Sequence, residues 1–400
     1  MPWRDTGLDW NVIDRPPVSA RPWTRWWWPG GDVNPQVLEE QLELLHGAGF
    51  GGVEVQPFLS GMINVVDNES LMSRVYSFNS VGYHDSLGRA VDRAHALGME
   101  VDLTHLSGWP PGGPEIALED SPTLLAYGET QVSGGKTVDI ELPLPKVGPS
   151  TLIFSMLEFA GADFINFPVD HARPLSVVAA GVEQGEHSWN PFNMDDTVTL
   201  APDSVQVITD HVSGKRLRWD APEGEWSIIV SYTMPSGEVP MGAAQKPQGF
   251  VVDHLRTAQV LGHYEFAYGE GTGLPARYGK GLRGFFNDSL EFRISRMTTP
   301  DILEEFRQRR GYDLEPYLPV VYREGADNVY FSELLAVHAG PDFCLTPMDD
   351  RIRHDYQQTL SDLMIERFIE PSADWAHARG LLSRGQSYGM DIDIIRALGA

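Results

Sequence analysis

Two carboxylates three residues apart are the side chains of this sequence best placed to do chemistry. Asp288 and Glu291 follow an apolar run of strand length in the segment 283–292, and a helix pattern begins soon after, near residue 298. A barrel of parallel strands presents its catalytic groups where strands end and helices follow. Carboxylates at such a rim suit general acid and base chemistry, with glycoside hydrolysis the leading case. The segment predicts an enzyme with Glu291 as a catalytic residue, and Asp288 as a second candidate that orients Glu291 or binds sugar hydroxyls.

A structural role is the alternative for both acids. Asp288 could cap the helix that follows, and Glu291 could pair with Arg293 or Arg296. Spacing in the sequence does not decide between these roles. A glycosidase needs its two carboxylates roughly 5–9.5 Å apart, and only the fold sets that distance.

Further polar and aromatic residues fall at or just after predicted strand ends. Glu54 lies near the end of the second predicted strand and His105 at the end of the third, so parallel strands would bring both to the same mouth as Glu291. A salt bridge at the rim is the alternative for Glu54, and a buried imidazole for His105. Trp109, in the Gly- and Pro-rich loop after the third strand, is a candidate for stacking on a sugar ring. The tryptophans at 26–28 cannot all face the core, because side chains alternate along a strand; one or two are core, and another lines the pocket.

The elements that position these residues follow two patterns, strand-helix units and short β-strands. Three strand-helix units in the first part of the chain call for a parallel sheet with right-handed crossovers. From about residue 124 to 241, short β-rich runs alternate with turns, which is typical of an antiparallel sandwich. The strand-helix pattern then resumes, with a fourth strand before Glu291 and a fifth at 381–386. The predicted units are a first part of the barrel, an inserted β-rich domain and a continuation of the barrel, at residues 1–123, 124–245 and 246–400. Five strands do not close an eight-stranded barrel, so either the sheet is open or the sequence is a fragment.

Composition excludes several classes of function. Lys and Arg total 30 against 56 Asp and Glu, for a formal charge of -26, and such a balance repels nucleic acid and anionic membrane. The one cysteine, Cys344, rules out an intrachain disulfide and a thiolate metal cluster. The first residues lack the charged and apolar regions of a signal peptide, so a cytoplasmic location is expected.

Several of these segments together resemble glycoside hydrolase family 106, the α-L-rhamnosidases. The resemblance extends from about residue 20 to the end of the chain, and joint occurrence makes it more specific than any one motif. It is carried by residues 22–31, 48–49, 51–55, 108–114, 287–291, 309–314 and 384–389.

The resemblance implies an α/β fold, a (β/α)₈ TIM-type barrel with added β-domains. This chain is expected to hold about five strands of the barrel and an inserted antiparallel β-sandwich-like domain. It also implies inverting hydrolysis of terminal α-L-rhamnosides, Ca²⁺ at the sugar site and a carbohydrate as the partner. Glu291 matches a catalytic glutamate of the family and is expected to be the acid. The other catalytic acid of the family lies in a segment beyond Ala400, so we expect the N-terminal part of such an enzyme. The expected alternatives are a carbohydrate-binding protein without turnover and a retaining glycosidase acting on another sugar. The residues expected to shape the sugar or Ca²⁺ site are Glu54, His105, Trp109, Gln386 and Tyr388.

Overall fold

The computed structural model describes residues 10–14, 16–59, 68–105, 107–145, 168–187, 196–247, 249–294, 296–323 and 340–399. Its strands in chain order are β1 (Trp23–Pro29), β2 (Gly52–Phe58), β3 (Glu100–Thr104), β4 (Gly112–Gly113), β5 (Thr123–Ser133), β6 (Lys136–Glu141), β7 (Arg173–Gln184), β8 (Val198–Leu200), β9 (Gln206–Val207), β10 (Val212–Ser213), β11 (Arg216–Ala221), β12 (Glu225–Pro235), β13 (Phe250–Val251), β14 (Leu282–Asn287), β15 (Met297–Thr298), β16 (Phe343–Cys344) and β17 (Leu382–Gly385). Its α-helices are α1 (Trp10–Asp14), α2 (Pro35–Gly47), α3 (Glu69–Val75), α4 (Val81–Ala96), α5 (Thr257–Tyr268), α6 (Ile302–Arg310), α7 (Leu318–Val321), α8 (Asp349–Met364), α9 (Glu370–His377) and α10 (Ile394–Leu398).

Five parallel strands form the sheet that carries the predicted site. They follow the order β1-β2-β3-β14-β17, so the first three are neighbours in the chain and the last two return to the same sheet after the β-rich region. Helices α2 and α4 begin where polar side chains cap them, since Asn34 accepts from the backbone N–H of Gln36 and Ser80 from that of Tyr83. The sheet is a curled half-barrel with helices on one face.

The tryptophans of β1 show which face is which. Trp26 donates from Nε1 to Gln41 of α2 at 2.8 Å, and the Trp28 ring lies edge-on to Tyr83 of α4 with centroids 5.9 Å apart. Trp27 points the other way and is 54% exposed. The prediction that only one or two of the three are core residues is confirmed, because alternation along the strand sends Trp27 to the inner face, away from these helices.

The β-rich region packs two sheets together. A small antiparallel sheet of β10, β11 and β6 faces the large sheet that contains β5, β12 and β7. Their shared core includes Val138 and Trp219 from the small sheet, and Ala179 and Ile228 from the large one. The other face of β12 is also buried, with Ile229 in the core shared with the half-barrel. Burial on both faces explains the unbroken apolar run in β12.

The α/β class is therefore confirmed, with a curled half-barrel sheet and several further sheets, whereas the eight-stranded barrel and the division into domains stay predictions. The large sheet also takes in β15 and β16, which come from outside the predicted insertion at 124–245. Residues 146–167 and 188–195 of that insertion lie outside the described residues, and its boundaries stay a prediction. Helices α8 and α9 form one long helical segment, in which a π-helical turn at Ile365–Ile369 joins them.

Within the described ranges, none of the helices combines the length and the apolar character that crossing a membrane requires.

Candidate active site

Parallel pairing lines up charged side chains across the inner face of the half-barrel. Arg25 of β1 is the register partner of Glu54 in β2, and Glu54 is the partner of Asp102 in β3. The next position, on β14, is Gly284. A Cβ at this position would clash with the Leu382 carbonyl of β17, so the close approach of the two strands requires glycine here.

Five of these side chains form what we call the inner-face network: Arg25, Glu54, Asp102, Arg283 and Arg384. Glu54 accepts from Arg25 Nε at 2.7 Å on Oε1 and from Arg384 Nη2 at 2.6 Å on Oε2. Asp102 is fully buried and accepts from Arg384 Nε at 2.8 Å, and from Arg283 through both of its oxygens at 3.0 and 2.6 Å. Charge-assisted bonds of this kind are short and directional, and they fix the guanidinium planes relative to the sheet. The network makes a rigid, charged floor beneath the strand ends.

The two predicted catalytic acids lie in the loop after β14, and both are half-buried. Asp288 accepts from the Ser289 backbone N–H at 2.9 Å on Oδ1 and from Arg25 Nη1 at 3.1 Å on Oδ2. Glu291 accepts from the indole N–H of Trp109 at 2.6 Å on Oε2. Its Oε1 makes no hydrogen bond to the described part of the chain, so this oxygen can face a substrate.

Neither structural alternative for these acids is observed. Helix α6 has Asp301 rather than Asp288 at its N-cap. Arg293 approaches Glu238 at 3.5 Å, and Arg296 donates to the Leu125 carbonyl at 2.9 Å.

Backbone hydrogen bonds hold the loop that carries Glu291. The Leu290 N–H donates to the Tyr388 carbonyl at 2.7 Å, and the Gln386 N–H donates to the Asn287 carbonyl at 2.9 Å. The predicted residues Gln386 and Tyr388 thus contact the loop through their main chain, while their side chains are exposed. Gly389 has a φ of +101°, and a Cβ there would stand 2.7 Å from the Leu290 carbonyl, so the approach requires glycine.

Glu238 anchors the same loop from below. Its Oε1 accepts from the Arg293 backbone N–H at 2.8 Å, two residues beyond Glu291, and the side chain is fully buried. Burial raises the pKa of Glu238, against the charge and hydrogen bonds of Arg293, which lower it. The sequence offered no signal for this residue, since it lies in an irregular Gly- and Pro-rich stretch rather than at a strand end.

An aromatic wall borders Glu291. The rings of Trp27 and Phe58 lie 5.3 Å apart, and those of Phe58 and Trp109 lie 4.8 Å apart. Trp27 presents most of its ring to solvent, and an exposed indole next to carboxylates can pack on the apolar face of a sugar. Trp109 lies where the sequence places it, and its hydrogen bond to Glu291 adds a role in holding the acid.

His105 does not join these residues. It is 2% exposed, and its ring stacks on Tyr264 with centroids 4.2 Å apart and contacts His263 edge-on. Burial lowers the pKa of His105 well below its usual value, and the charges of His263 and His254 act in the same direction. The imidazole is therefore neutral and belongs to a buried aromatic layer. Tyr264 in turn donates to Asn287 at 2.6 Å, so this layer supports the end of β14, and a direct sugar contact by His105 stays a prediction.

The described residues do not offer a metal site of the usual kind. Within the described ranges, no three His, Cys, Asp or Glu side chains come together in a way that could hold a metal ion. Glu54 and Asp288 are both directed at Arg25. Each of them therefore faces a guanidinium group, and we assign no step of the chemistry to a metal.

The sequence of the chain matches the model of a known protein family. The family model described as alpha-L-rhamnosidase, Glyco_hydro_106, matches residues 14–162 and 177–396. A protein of Formosa agariphila with the printed name "Putative beta-glucuronidase" is 23% identical over 387 residues, which cover 92% of this chain and 30% of that protein.

The solved structure of a rhamnosidase from Novosphingobium sp. PP1Y superposes with a TM-score of 0.64 at 18% identity, covering 97% of this chain and 48% of that one. The chain therefore spans about half the length of the solved relative and under a third of the curated one. The structural likeness supports the fold.

Proposed function

Since the chain belongs to glycoside hydrolase family 106, we propose that it hydrolyses terminal α-L-rhamnosides, with Glu291 as one of two catalytic carboxylates. The observation that carries the proposal is the arrangement of Glu291 at the end of β14. Trp109 holds one carboxyl oxygen while the other makes no bond to the described residues, and the aromatic wall stands beside it. The geometry suits an acid that must reach a glycosidic oxygen.

In this mechanism Glu291 donates a proton from Oε1 to the leaving oxygen as the bond to the anomeric carbon breaks. A second carboxylate activates a water molecule, which attacks the anomeric carbon from the opposite face and inverts its configuration. Asp288 is a candidate for binding sugar hydroxyls or orienting that water. Both of its oxygens already accept hydrogen bonds, so it would have to share them with the ligand.

The half-barrel sheet is consistent with this proposal. We propose that β1, β2, β3, β14 and β17 are part of a (β/α)₈ barrel, because they are parallel and the candidate acids Asp288 and Glu291 follow the carboxyl end of β14. The rhamnosidase neighbour, which is about twice as long, supports the same assignment.

The direct test is hydrolysis of an aryl α-L-rhamnoside by the chain and by Glu291→Gln. We expect turnover that falls by at least about 100-fold in the variant, because general acid catalysis contributes that much or more. Glu304→Gln, at an exposed glutamate of α6, is the matched control and should retain activity. A folded wild type whose turnover is unaffected by Glu291→Gln would refute the assignment.

The anomer released first distinguishes the stereochemical course. NMR during the first turnovers should show the inverted sugar. Release of the retained anomer would instead identify a retaining glycosidase. An aryl β-glucuronide belongs in the same assay, because the F. agariphila relative is named for that activity and two arginines stand beside Asp288 and Glu54.

Sugar binding without turnover is the second candidate function. It is favoured by the hydrogen bonds of Asp288, because both of its carboxyl oxygens already accept one. Of the two candidate acids, Glu291 is then the one with an oxygen that accepts no hydrogen bond from the described residues. Calorimetry with rhamnose separates the two functions. Affinity that survives Glu291→Gln, with no hydrolysis by the wild type, would establish the binding function.

The family resemblance implies Ca²⁺ at the sugar site, and we propose that Ca²⁺ assists sugar binding. The groups of acidic side chains in the described ranges do not by themselves supply its ligands. Rhamnose affinity measured before and after exhaustive chelation tests the requirement. An unchanged affinity would refute it.

A further inference from the structure

We propose that Arg25 and Arg384 form a binding site for the carboxylate of a uronic acid, on the sugar that is cleaved or on its neighbour. This proposal rests on the proposed glycosidase function. It adds a class of substrate, the uronic acids, to which a neutral 6-deoxy sugar such as rhamnose does not belong.

The two guanidinium groups are held side by side. Arg25 and Arg384 each bind one oxygen of Glu54, at 2.7 and 2.6 Å. Both also lie over the ring of Phe286, with their central carbons 4.8 and 5.3 Å from its centroid. One carboxylate and one aromatic ring therefore fix the two cations as a pair.

Each member of the pair keeps one donor group unused. Arg25 bonds through Nε and Nη1, and Arg384 through Nε and Nη2. Neither Arg25 Nη2 nor Arg384 Nη1 meets an acceptor among the described residues. Their side chains are 27% and 39% exposed, so a ligand in the mouth can reach them.

Arg283 is the least accessible arginine of this network, although its Nη1 also lacks a hydrogen bond to the described residues and lies 3.8 Å from Glu100. It binds both oxygens of Asp102, and the ring of Trp23 covers its guanidinium at 3.7 Å. Its side chain is 21% exposed, the least of the three. The ring of Trp23 therefore covers Arg283, whereas Arg25 and Arg384 remain more accessible to a ligand in the mouth.

The local charge permits an anion. The network has three arginines against the two acids Glu54 and Asp102, so it carries a net charge of +1 in a protein of formal charge -26. From outside the network, Asp288 approaches Arg25 at 3.1 Å and Glu100 approaches Arg283 at 3.8 Å. A polyanion would be repelled by the surrounding surface. A single carboxylate on a sugar ring fits the planar donors of two guanidinium groups and places its ring against the aromatic wall.

The test compares D-glucuronate with D-glucuronamide, which has the same ring without the charge, by calorimetry on the wild-type chain. We expect the charged sugar to bind about 10-fold more tightly or better, since charge-assisted hydrogen bonds to a carboxylate are stronger than hydrogen bonds to a neutral amide. Added salt should weaken the binding of glucuronate and leave the binding of glucuronamide unchanged. Equal affinity for the two ligands would overturn the proposal without any variant, and without any bearing on turnover.

Variants then locate the site. Arg384→Gln should reduce the glucuronate affinity about 10-fold, and Arg25→Lys should do so as well, because lysine keeps the charge but loses the planar fork. Arg379→Gln is the matched control, since that arginine pairs with Glu265 on the helical side of the sheet. Unchanged affinity in folded Arg384→Gln and Arg25→Lys proteins would refute the assignment.

Enzyme assays distinguish the two positions of the uronate. Cleavage of an aryl β-glucuronide would place the carboxylate on the sugar that is cleaved. Cleavage of an aryl α-L-rhamnoside, with competitive inhibition by glucuronate, would place it on the neighbouring sugar. If neither substrate is cleaved, the proposed glycosidase activity fails, while the binding comparison still decides the uronate site.

Discussion

Replacing Asp102 by asparagine tests whether the inner-face network holds the candidate site together. Asp102 is fully buried and accepts from both Arg283 and Arg384, so the change leaves two guanidinium groups facing a neutral amide. Removing one partner of a buried ion pair typically costs about 3–5 kcal/mol. The two arginines are 21% and 39% exposed, and water can solvate them in part. We therefore expect Asp102→Asn to lower the free energy of unfolding by about 2–3 kcal/mol.

Glu100→Gln is the matched control for this prediction. Glu100 lies on the same strand and approaches the same Arg283, but at 3.8 Å and with 41% of its side chain exposed. An exposed pair contributes about 0–1 kcal/mol, so the control should unfold close to the wild type. The assay is urea unfolding followed by tryptophan fluorescence at pH 7. If Asp102→Asn costs no more than Glu100→Gln, the attraction within the network only offsets its desolvation, and the reasoning is wrong.

Three further predictions concern the loop and its surroundings. Trp109→Phe keeps the ring but removes the hydrogen bond to Glu291, so kcat should fall about 10-fold with KM little changed; a rise in KM alone would instead indicate a stacking platform. Gly389→Ala should destabilise the protein by at least about 1 kcal/mol and lower activity, because its Cβ would displace Leu290; thermal unfolding and turnover equal to wild type would contradict this. Burial raises the pKa of Asp253 to about 7, so the folded state retains a proton that the unfolded state releases above its own pKa near 4, and stability should fall as pH rises from about 4 to 7. In Asp253→Asn this fall in the unfolding free energy should be smaller, and an identical pH profile would argue against the assignment.

Much of the fold was accessible from the sequence, because it depends on local patterns. The strand-helix pattern predicted for the first part of the chain is present, and its helix α4 (Val81–Ala96) leads into the third strand, β3 (Glu100–Thr104). Apolar residues recur with a period that differs between helices and strands, so each type of element can be recognised along the chain. Glycines and capping residues mark where helices end and begin. Glu291 was accessible for the same reason, since an acid directly after an apolar strand is a local signal.

The network was not accessible, because its contacts join residues far apart in the chain. Arg25 and Asp288 are separated by 263 positions, and Glu54 and Arg384 by 330. One signal was present: Arg25 and Asp102 are charged residues inside strands that otherwise read as buried, and a buried strand that keeps a charge needs a partner across the sheet. That signal identifies members of the network without giving the pairing, which depends on strand order and register.

Register also changes what Glu54 does. The sequence predicts that Glu54 lies near a strand end and binds the sugar. In the structure it is the third residue of β2, and each of its oxygens accepts from a different arginine. It therefore acts on a ligand through Arg25 and Arg384, by fixing the distance between two cations that carry the unused donors. The predicted rim salt bridge and the predicted binding role are then the same feature, because the salt bridge builds the proposed uronate site.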